Sequence, residues 1–157
     1  MYKTTFIPSN TASVSGERFF IGLRNVTTAA TNVEPNTLTN TVGIAQLSTD
    51  NTQFYLVYGG STAQTAIALG TSLGSPSTLT ADIYELSISA PSTTANTFYV
   101  TLTNVFTGST VSQTLTGSST VIPQSTTLLT HRAWKTNNTT AASVAFDISS
   151  IYFETNA

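Results

Sequence analysis

The sequence predicts an all-β protein, built as an antiparallel two-sheet β-sandwich or jelly roll with a lectin-like shape. Threonine supplies roughly a fifth of the 157 residues, and its branched Cβ favours strands over helices. Apolar and polar residues alternate in several runs, as in strands with one buried and one solvated face. Turn-forming residues separate these runs at spacings of about 8 to 12 residues, so roughly ten short strands are expected.

Residues 1–15 are polar and loosely patterned, and we interpret them as a linker that leads into a single domain at 16–157. Within them, Lys3–Ile7 is compatible with a short strand. Pro8 would end that strand or confine it to a sheet edge, because proline lacks the backbone N–H that an interior strand needs.

The strongest early strand is predicted over Glu17–Asn25. Phe19 and Leu23 share one face with the isoleucine between them, whereas Phe20 lies on the other face beside Gly22. A strand with aromatic residues on both faces is expected to be buried on two sides or to lie at a subunit contact. A glycine inside a strand marks a bulge or a close approach of another backbone.

Two further runs, Val42–Leu47 and Gln53–Tyr58, predict a hairpin around the polar turn Ser48–Asn51. Thr65–Leu69 predicts a brief additional strand. The stretch Asp82–Thr116 then predicts an antiparallel meander of three strands.

In the first run of the meander, Tyr84, Leu86 and Ile88 fall on one face, and in the second run Phe98 and Val100 do the same. Tyr99 and the threonines on the opposite side are expected to face water or a neighbouring subunit. The links at Pro91–Thr94 and Thr107–Ser109 have ordinary turn chemistry.

The last third predicts strands over Thr126–Trp134 and Ala142–Thr155. In the second of these, Ile148 and Ile151 differ in parity, so they would point to opposite faces of a regular strand. A β-bulge near Ser149–Ser150 would bring them to the same face.

Composition excludes several classes of function. The formal net charge is −2 and no basic stripe is present, so nucleic-acid binding is not expected. No apolar run is long enough for a membrane span, and the start of the chain lacks a signal-peptide pattern. Cysteine is absent, which is typical of a protein made in a reducing compartment. Only 8 % of residues are charged, so strand edges lack one usual protection and favour burial in an assembly.

The single histidine, His131, limits the catalytic options. A Ser-His-Asp arrangement with Asp147 is formally possible, but no serine lies in a G-x-S-x-G nucleophile elbow. We therefore interpret His131 as a strand-end imidazole with a local hydrogen bond, and we expect no catalytic residues. Pairs of carboxylates that would indicate a glycosidase, such as Asp82 and Glu85, differ in strand parity and point apart.

No metal or cofactor is expected from the residue pattern. One histidine and no cysteine make zinc improbable. Calcium needs several oxygen ligands, and the only loop candidates are Asp50–Asn51 and the pair Glu34 and Asn36, neither of which matches an EF-hand loop.

Carbohydrate binding requires less, namely an exposed aromatic ring with some amides on loops of a rigid scaffold. Trp134 is the only tryptophan, and it lies close to other candidates for such a site: Arg132, Asn137, Asn138 and, on another strand, Tyr58. The alternatives are that Trp134 is a core or subunit-contact residue and that Arg132 is a solvated edge charge or an ion-pair partner of Asp147.

Several strings together resemble the receptor-binding head domain of bacteriophage tail fibres and tailspikes: ERFFIGLRN, TLTNTVGIAQL, DIYELSISAP, TTLLTHRAWKTNNTT and FDISSIYFET. The most unusual are FFIGLRN, the stretch Asn40–Ile44 and the W-x-x-N-N turn at Trp134–Asn138. The resemblance covers most of the chain from about Glu17 onward.

The resemblance implies a β-sandwich head on a homotrimeric fibre of the virion, made in the host cytoplasm, that recognises a bacterial surface polysaccharide or other surface glycan. Residues 1–15 would then be the end of the shaft. It supplies no catalytic or sugar-binding motif. Two alternatives stay open: a structural trimerisation, capping or virion-decoration domain without a ligand, and a depolymerase.

Overall fold

The computed structural model describes residues 1–10, 12–77 and 82–155. These residues form ten β-strands and two single-turn 3-10 helices, Pro35–Thr37 and Thr71–Leu73. The strands are β1 (Tyr2–Ile7), β2 (Arg18–Arg24), β3 (Thr41–Leu47), β4 (Asp50–Gly59), β5 (Ile67–Ala68), β6 (Tyr84–Ser89), β7 (Thr97–Asn104), β8 (Thr110–Thr116), β9 (Thr130–Thr136) and β10 (Asp147–Phe153).

The strands form two five-stranded sheets, which confirms the predicted all-β sandwich. The first sheet has the order β10-β1-β6-β7-β8 and the second has the order β5-β4-β3-β2-β9. Neighbouring strands within each sheet are antiparallel. None of the helices that the structure describes has the length and apolar character needed to cross a membrane.

The core fills the space between the sheets. Its large, fully buried side chains come from both inner faces, in keeping with the alternation in the sequence. Phe6, Phe19 and Phe54 form stacked, tilted or edge-on ring contacts with one another or with Tyr84, at centroid distances between 4.7 and 6.3 Å. The predicted meander is present as β6, β7 and β8, and its predicted apolar faces are buried.

Of the two alternatives predicted for Lys3–Ile7, the first is confirmed, because the strand ends directly before Pro8. The second is wrong, because β1 is an interior strand rather than an edge strand. It pairs with β10 on one side and with β6 on the other. Tyr2 and Phe6 are buried in the core, so part of the segment interpreted as a linker belongs to the sandwich. Pro8 is compatible with this position because it follows the last paired residue, Ile7.

Phe20 is buried on the outer face of the second sheet, within the single chain. Its ring lies over Gly43, where an added Cβ would stand 2.8 Å from the ring atoms. An added Cβ at Gly22 would stand 2.4 Å from the carbonyl oxygen of Val42. Both glycines are therefore required by close packing, as predicted for Gly22, and the two-sided burial of β2 does not depend on a subunit contact.

The predicted bulge in the last strand is confirmed. Thr5 pairs with Ser150, whereas the next residue, Phe6, pairs with Ile148, so Ser149 is the extra residue. The bulge places Ile148 and Ile151 on the same inward face. Other boundaries differ from the sequence prediction: β5 is only two residues long, and the last two strands begin at Thr130 and Asp147.

Candidate functional site

The two ends of the sandwich differ. We call the end where β2 begins and β9 finishes the sealed end, and the opposite end, where β2 finishes at Arg24, the open end. The links between β6 and β7 and between β8 and β9 both lie at the open end, because Leu23, Ala90 and Phe98 line one cavity there. The hairpin turn between β7 and β8 lies at the sealed end.

A cleft of about 530 Å³ occupies the open end. Its walls come from the end of β2, from the β6–β7 turn and from the segment that precedes β9. The apolar part of the lining consists of Leu23, Ala90, Pro91, Ala95, Phe98, Pro123 and Leu129.

The rest of the cleft lining is polar but uncharged. Hydroxyl and amide groups come from Ser92, Thr94, Asn96, Thr97, Gln124, Ser125 and Thr127. No described residue of the lining has an ionisable side chain. Asn96 has a positive φ of 53°, a conformation that asparagine tolerates, and this allows the β6–β7 turn to stand at the rim.

A smaller cavity of about 180 Å³ continues the cleft towards β1 and β10. The two share Leu23, Ala90, Phe98 and Leu129, and the smaller one adds Tyr2 among its lining residues. Together they form an elongated apolar trough between the two sheets.

His131 lies beside this trough, where its Nδ1 is 2.8 Å from the hydroxyl of Tyr2. Burial lowers the pKa of the imidazole below its ordinary value of 6.5, and the positive charge of Arg132 lowers it further. Burial also raises the pKa of the Tyr2 hydroxyl well above its usual range. The pair is therefore neutral near pH 7, and the tautomer of the imidazole decides which of the two groups donates the hydrogen bond.

The formal Ser-His-Asp alternative is not formed. Tyr2 pairs with Phe153, whereas Asp147 pairs with Ile7 at the other end of β1, about 17 Å along the strand. The interpretation of His131 as a strand-end imidazole with a local hydrogen bond agrees with its bond to Tyr2.

The sealed end holds a buried polar cluster around Glu17. Its carboxylate accepts a hydrogen bond from the Ser77 hydroxyl at 2.5 Å and another from the Asn10 amide, and Lys135 Nζ lies 3.4 Å away. The Gln46 amide donates to Ser77 Oγ at 2.8 Å and to the Glu17 carbonyl at 3.2 Å. Burial lowers the pKa of Lys135, and the charge of Glu17 opposes that shift.

This cluster is chemically rich but lines neither cavity at the open end. The side chains of Glu17 and Lys135 are 0 % and 3 % exposed, so a ligand has no route to either charge. The cluster joins the segment before β2 to β3, to β9 and to the loop that carries Ser77. The cluster therefore holds these segments together, and removing one of its two charges is expected to lower the stability of the fold strongly.

Trp134 and Arg132 lie on the outer face of β9, and both are half-buried. Trp134 pairs with Phe20. Arg132 donates to the carbonyl oxygens of Thr27, at 3.3 Å, and Thr28. The predicted alternative of an ion pair with Asp147 is wrong, because the guanidinium instead fixes the loop after β2.

The other predicted ligand-binding residues do not converge on Trp134. The Asn138 side chain accepts a hydrogen bond from Arg18 at 2.7 Å, and the Asn137 amide donates to the carbonyl of Ala142 at 2.8 Å. Tyr58 lies on the inner face of its sheet, opposite Val42, and packs against the core. The sheet therefore separates Tyr58 from Trp134.

The loop carboxylates considered for calcium are engaged by the chain itself. Asp50 accepts bonds from Thr52, Gln53 and Tyr55, which hold its pKa far below the ordinary value. Burial would raise the pKa of Glu34, but hydrogen bonds from Ser48 and Arg18 outweigh it and lower the pKa. Among the described residues no group of three or more His, Cys, Asp or Glu side chains could hold a metal ion.

The chain matches no family model and no curated protein. Two solved structures are similar to it. One is a Scytalido-glutamic peptidase with a peptide-based transition-state analogue, with a TM-score of 0.47 and 14 % identity over 95 % of this chain and 68 % of that chain. The other is SCP-B, a member of the Eqolisin family of peptidases, in complex with the tripeptide Ala-Ile-His, with a TM-score of 0.46 and 14 % identity over 95 % of this chain and 67 % of that chain.

The comparisons give no support to the expected function as a tail-fibre head that recognises a bacterial polysaccharide, because the two solved structures that are similar to this chain are peptidases. The likeness to the peptidases is one of fold and assigns no activity to this chain.

Sequence reasoning missed the cleft. The β6–β7 turn and Pro123 were recognised as turn chemistry, but the sequence pattern does not show that two turns 30 residues apart meet at one end of the sandwich. The available signal was the pair of prolines, Pro91 and Pro123, each next to a short run of Ser, Thr, Asn and Gln. Rigid, uncharged loops of this composition suit the wall of a binding cleft.

Proposed function

We propose that this chain is a non-catalytic binding domain whose ligand occupies the open-end cleft. The ligand is uncharged and combines an apolar body with hydroxyl or amide groups. The observation that carries this proposal is the composition of the cleft: an apolar floor with a polar rim and no ionisable side chain in the described lining.

The size of the cleft supports binding of a small molecule or a short segment of a larger one. Its volume of about 530 Å³ lies within the usual range for ligand pockets, roughly 300 to 1,000 Å³. A charged ligand would lose its hydration without gaining an ion-pair partner, so an uncharged ligand is favoured. The hydroxyl and amide groups of the rim then supply the hydrogen bonds that orient it.

The lining also argues against a sugar as the main ligand. Sugars stack on exposed aromatic faces, and Phe98 is the one aromatic residue of the described lining. It is only 9 % exposed, so most of its ring is already packed against the core. The cleft therefore fits aliphatic and amide groups better than a pyranose ring.

The test is a two-dimensional amide NMR screen of the protein against neutral amide and alcohol fragments, with carboxylate and ammonium fragments as a second set. Neutral fragments are expected to shift the amide signals of the β6–β7 turn and of Leu129. The variant Leu129→Arg, which places a charge in the trough, is expected to weaken these fragments at least tenfold. The matched control is Leu128→Arg, because Leu128 is 90 % exposed and lines neither cavity.

Two results would overturn the proposal: neutral fragments that shift only signals outside the cleft, or equal binding to the Leu129→Arg and Leu128→Arg proteins. Assembly into a homotrimer stays a separate prediction, and sedimentation at several protein concentrations tests it.

A further inference from the structure

We propose that β10 is a docking edge for an extended peptide whose strand-pairing segment is apolar between two basic residues, and whose uncharged continuation enters the open-end cleft. This inference rests on the proposed function, because the peptide would continue beyond the strand-pairing segment as the uncharged segment held in the cleft.

The first observation is the unpaired edge of β10. Within the described chain β10 pairs only with β1, so its other side presents backbone N–H and C=O groups without strand partners. All seven residues from Asp147 to Phe153 are exposed, whereas all seven residues of β9, the neighbouring edge strand of the other sheet, are half-buried. An edge strand of this kind is a template for an added strand.

The second observation is an apolar inner face on β10 that the chain leaves partly uncovered. Ile148, Ile151 and Phe153 pair with inward-facing residues of β1, so they point into the sandwich. They are nevertheless 38 %, 47 % and 50 % exposed, and the exposure rises towards the open end. At the sealed end Phe146 closes the gap by packing on Phe6 and Phe19.

The apolar face of β10 is continuous with the cleft. Phe153 and the following Glu154 line the smaller cavity, which shares Leu23 and Leu129 with the larger one. A ligand that follows this path lies first in the cleft and then along the strand. From Phe153 to Ile148 the path adds about 17 Å.

An extended peptide matches both observations. Its backbone can hydrogen-bond with the free edge of β10, and its alternate side chains can cover the apolar inner face, as in other cases of β-strand addition. The bulge at Ser149 interrupts the ladder, so regular pairing is expected over Ser150–Phe153. An alkyl chain would cover the apolar face but leave the backbone groups unpaired.

Two carboxylates near the ends of β10 favour basic residues in the peptide. Asp147 begins β10 and Glu154 follows it, and no basic side chain lies between them. A basic residue at either end of the strand-pairing segment would face one of these carboxylates. A second copy of β10 is disfavoured, because antiparallel pairing over the whole strand would bring Asp147 next to the Glu154 of that copy.

The test uses a fluorescent synthetic peptide of alternating valine and threonine with a lysine at each end, roughly nine residues long so that it spans β10. Fluorescence anisotropy measures its binding to the full chain. We expect N-methylation of alternate backbone nitrogens to weaken binding at least tenfold, because it removes the donors of the added strand. We expect a similar loss for Ile151→Gln and no change for Val105→Gln, a control at a residue that is 53 % exposed in the β7–β8 turn.

Equal binding of the N-methylated peptide, or of the Ile151→Gln protein, would overturn the inference. Neutral fragments that bind the cleft while the peptide does not bind would overturn it too and leave the proposed function standing. A homodimer in sedimentation that Ile151→Gln dissociates would show that a second copy occupies β10, which also overturns it. Because Ile151 is half-exposed, the variant is expected to fold, and its thermal unfolding is measured alongside.

Discussion

The two ends of the sandwich distribute their chemistry in opposite ways. The sealed end contains a buried carboxylate, an ammonium group, a hydroxyl and two amides, and none of these residues lines either of the two open-end cavities. The open end has an uncharged cleft with ordinary turn residues around it. The ionisable and polar side chains that suggest a functional site therefore stabilise the fold at the sealed end. The surface that is available for binding lies at the open end, among uncharged turn residues.

The difference has a physical basis in burial. A charged pair that is enclosed by the chain has no partner other than the chain, so its contribution is structural. An open apolar cleft can bind a ligand, because the ligand displaces water from the apolar surface and this lowers the free energy. Whether a group of side chains stabilises the fold or binds a ligand therefore depends first on its exposure to solvent and only then on its residue types.

The largest expected effect comes from separating the charges at the sealed end. Glu17→Ala leaves Lys135 buried without its counter-charge, so we expect a loss of about 3 to 5 kcal/mol in the free energy of unfolding. Urea denaturation measures it. The matched control is Glu85→Ala, which breaks the ion pair with Lys3 at 3.0 Å, where the side chains are 42 % and 39 % exposed.

The control is expected to cost less than about 1 kcal/mol, because solvent screens an exposed pair. Similar losses of unfolding free energy for Glu17→Ala and Glu85→Ala would mean that the buried cluster contributes no more stability than an exposed ion pair. The two ends of the sandwich would then differ only in the presence of a cleft.

A second comparison uses the two turns of the meander. Asn104, at the sealed end, donates to the Leu73 carbonyl at 3.1 Å and to Asp82 at 2.9 Å, and it accepts from Phe106 N at 3.0 Å and Thr107 N at 3.1 Å. The Asn104 side chain is buried, and Asn104→Ala removes all four of these hydrogen bonds at once, so we expect a loss of about 2 to 3 kcal/mol by thermal or urea unfolding.

The matching change at the open end is Asn96→Gly, which keeps the positive φ of the β6–β7 turn. Its expected cost is below about 0.5 kcal/mol, because Asn96 is exposed and glycine adopts that conformation without strain. A loss of stability as large as that expected for Asn104→Ala would show that the side chain in the open-end turn also contributes strongly to the stability of the fold.

The smallest expected effect is a pH dependence at the open end. Burial and Arg132 lower the pKa of His131 in the folded state, so below its ordinary value of 6.5 the unfolded state binds the proton more readily. Stability is therefore expected to fall as the pH decreases from about 7 towards the lowered pKa, by less than about 1 kcal/mol because the ring is half-buried and solvent screens its charge.

The variant His131→Gln is expected to flatten the dependence in that range, as measured by the midpoint of thermal unfolding. Glu34 and Asp50 have lowered pKa values, so the stability they contribute is present above their unfolded pKa and is lost only at more acidic pH. An unchanged slope between pH 7 and 5.5 in the variant would exclude His131 as its source.

Much of the fold could be predicted from the sequence because strand alternation is a local property. The inward faces of the meander, the opposite orientation of Phe19 and Phe20 and the bulge at Ser149 each depend on neighbours within a few residues. Strand order is not local. The central place of β1 depends on partners at β6 and β10, which alternation does not identify.

The candidate site could not be predicted for the same reason. The Glu17–Lys135 pair joins positions 118 residues apart, and the cleft joins two turns that have no distinctive sequence. Trp134 was a candidate because it is the only tryptophan in the sequence, yet it lies opposite Phe20 on the outer face of the sheet. Composition identified the candidates, but only the packing shows which surfaces remain free.

The interior position of β1 also determines when the first sheet can form. Tyr2 pairs with Ile88 on one side and with Phe153 on the other, so β1 leaves the ribosome well before both of the strands that it pairs with. Closing such long loops before any pairing is gained makes folding slow. The second sheet, whose β2, β3 and β4 are consecutive, can assemble earlier and serve as the surface on which the first sheet is completed.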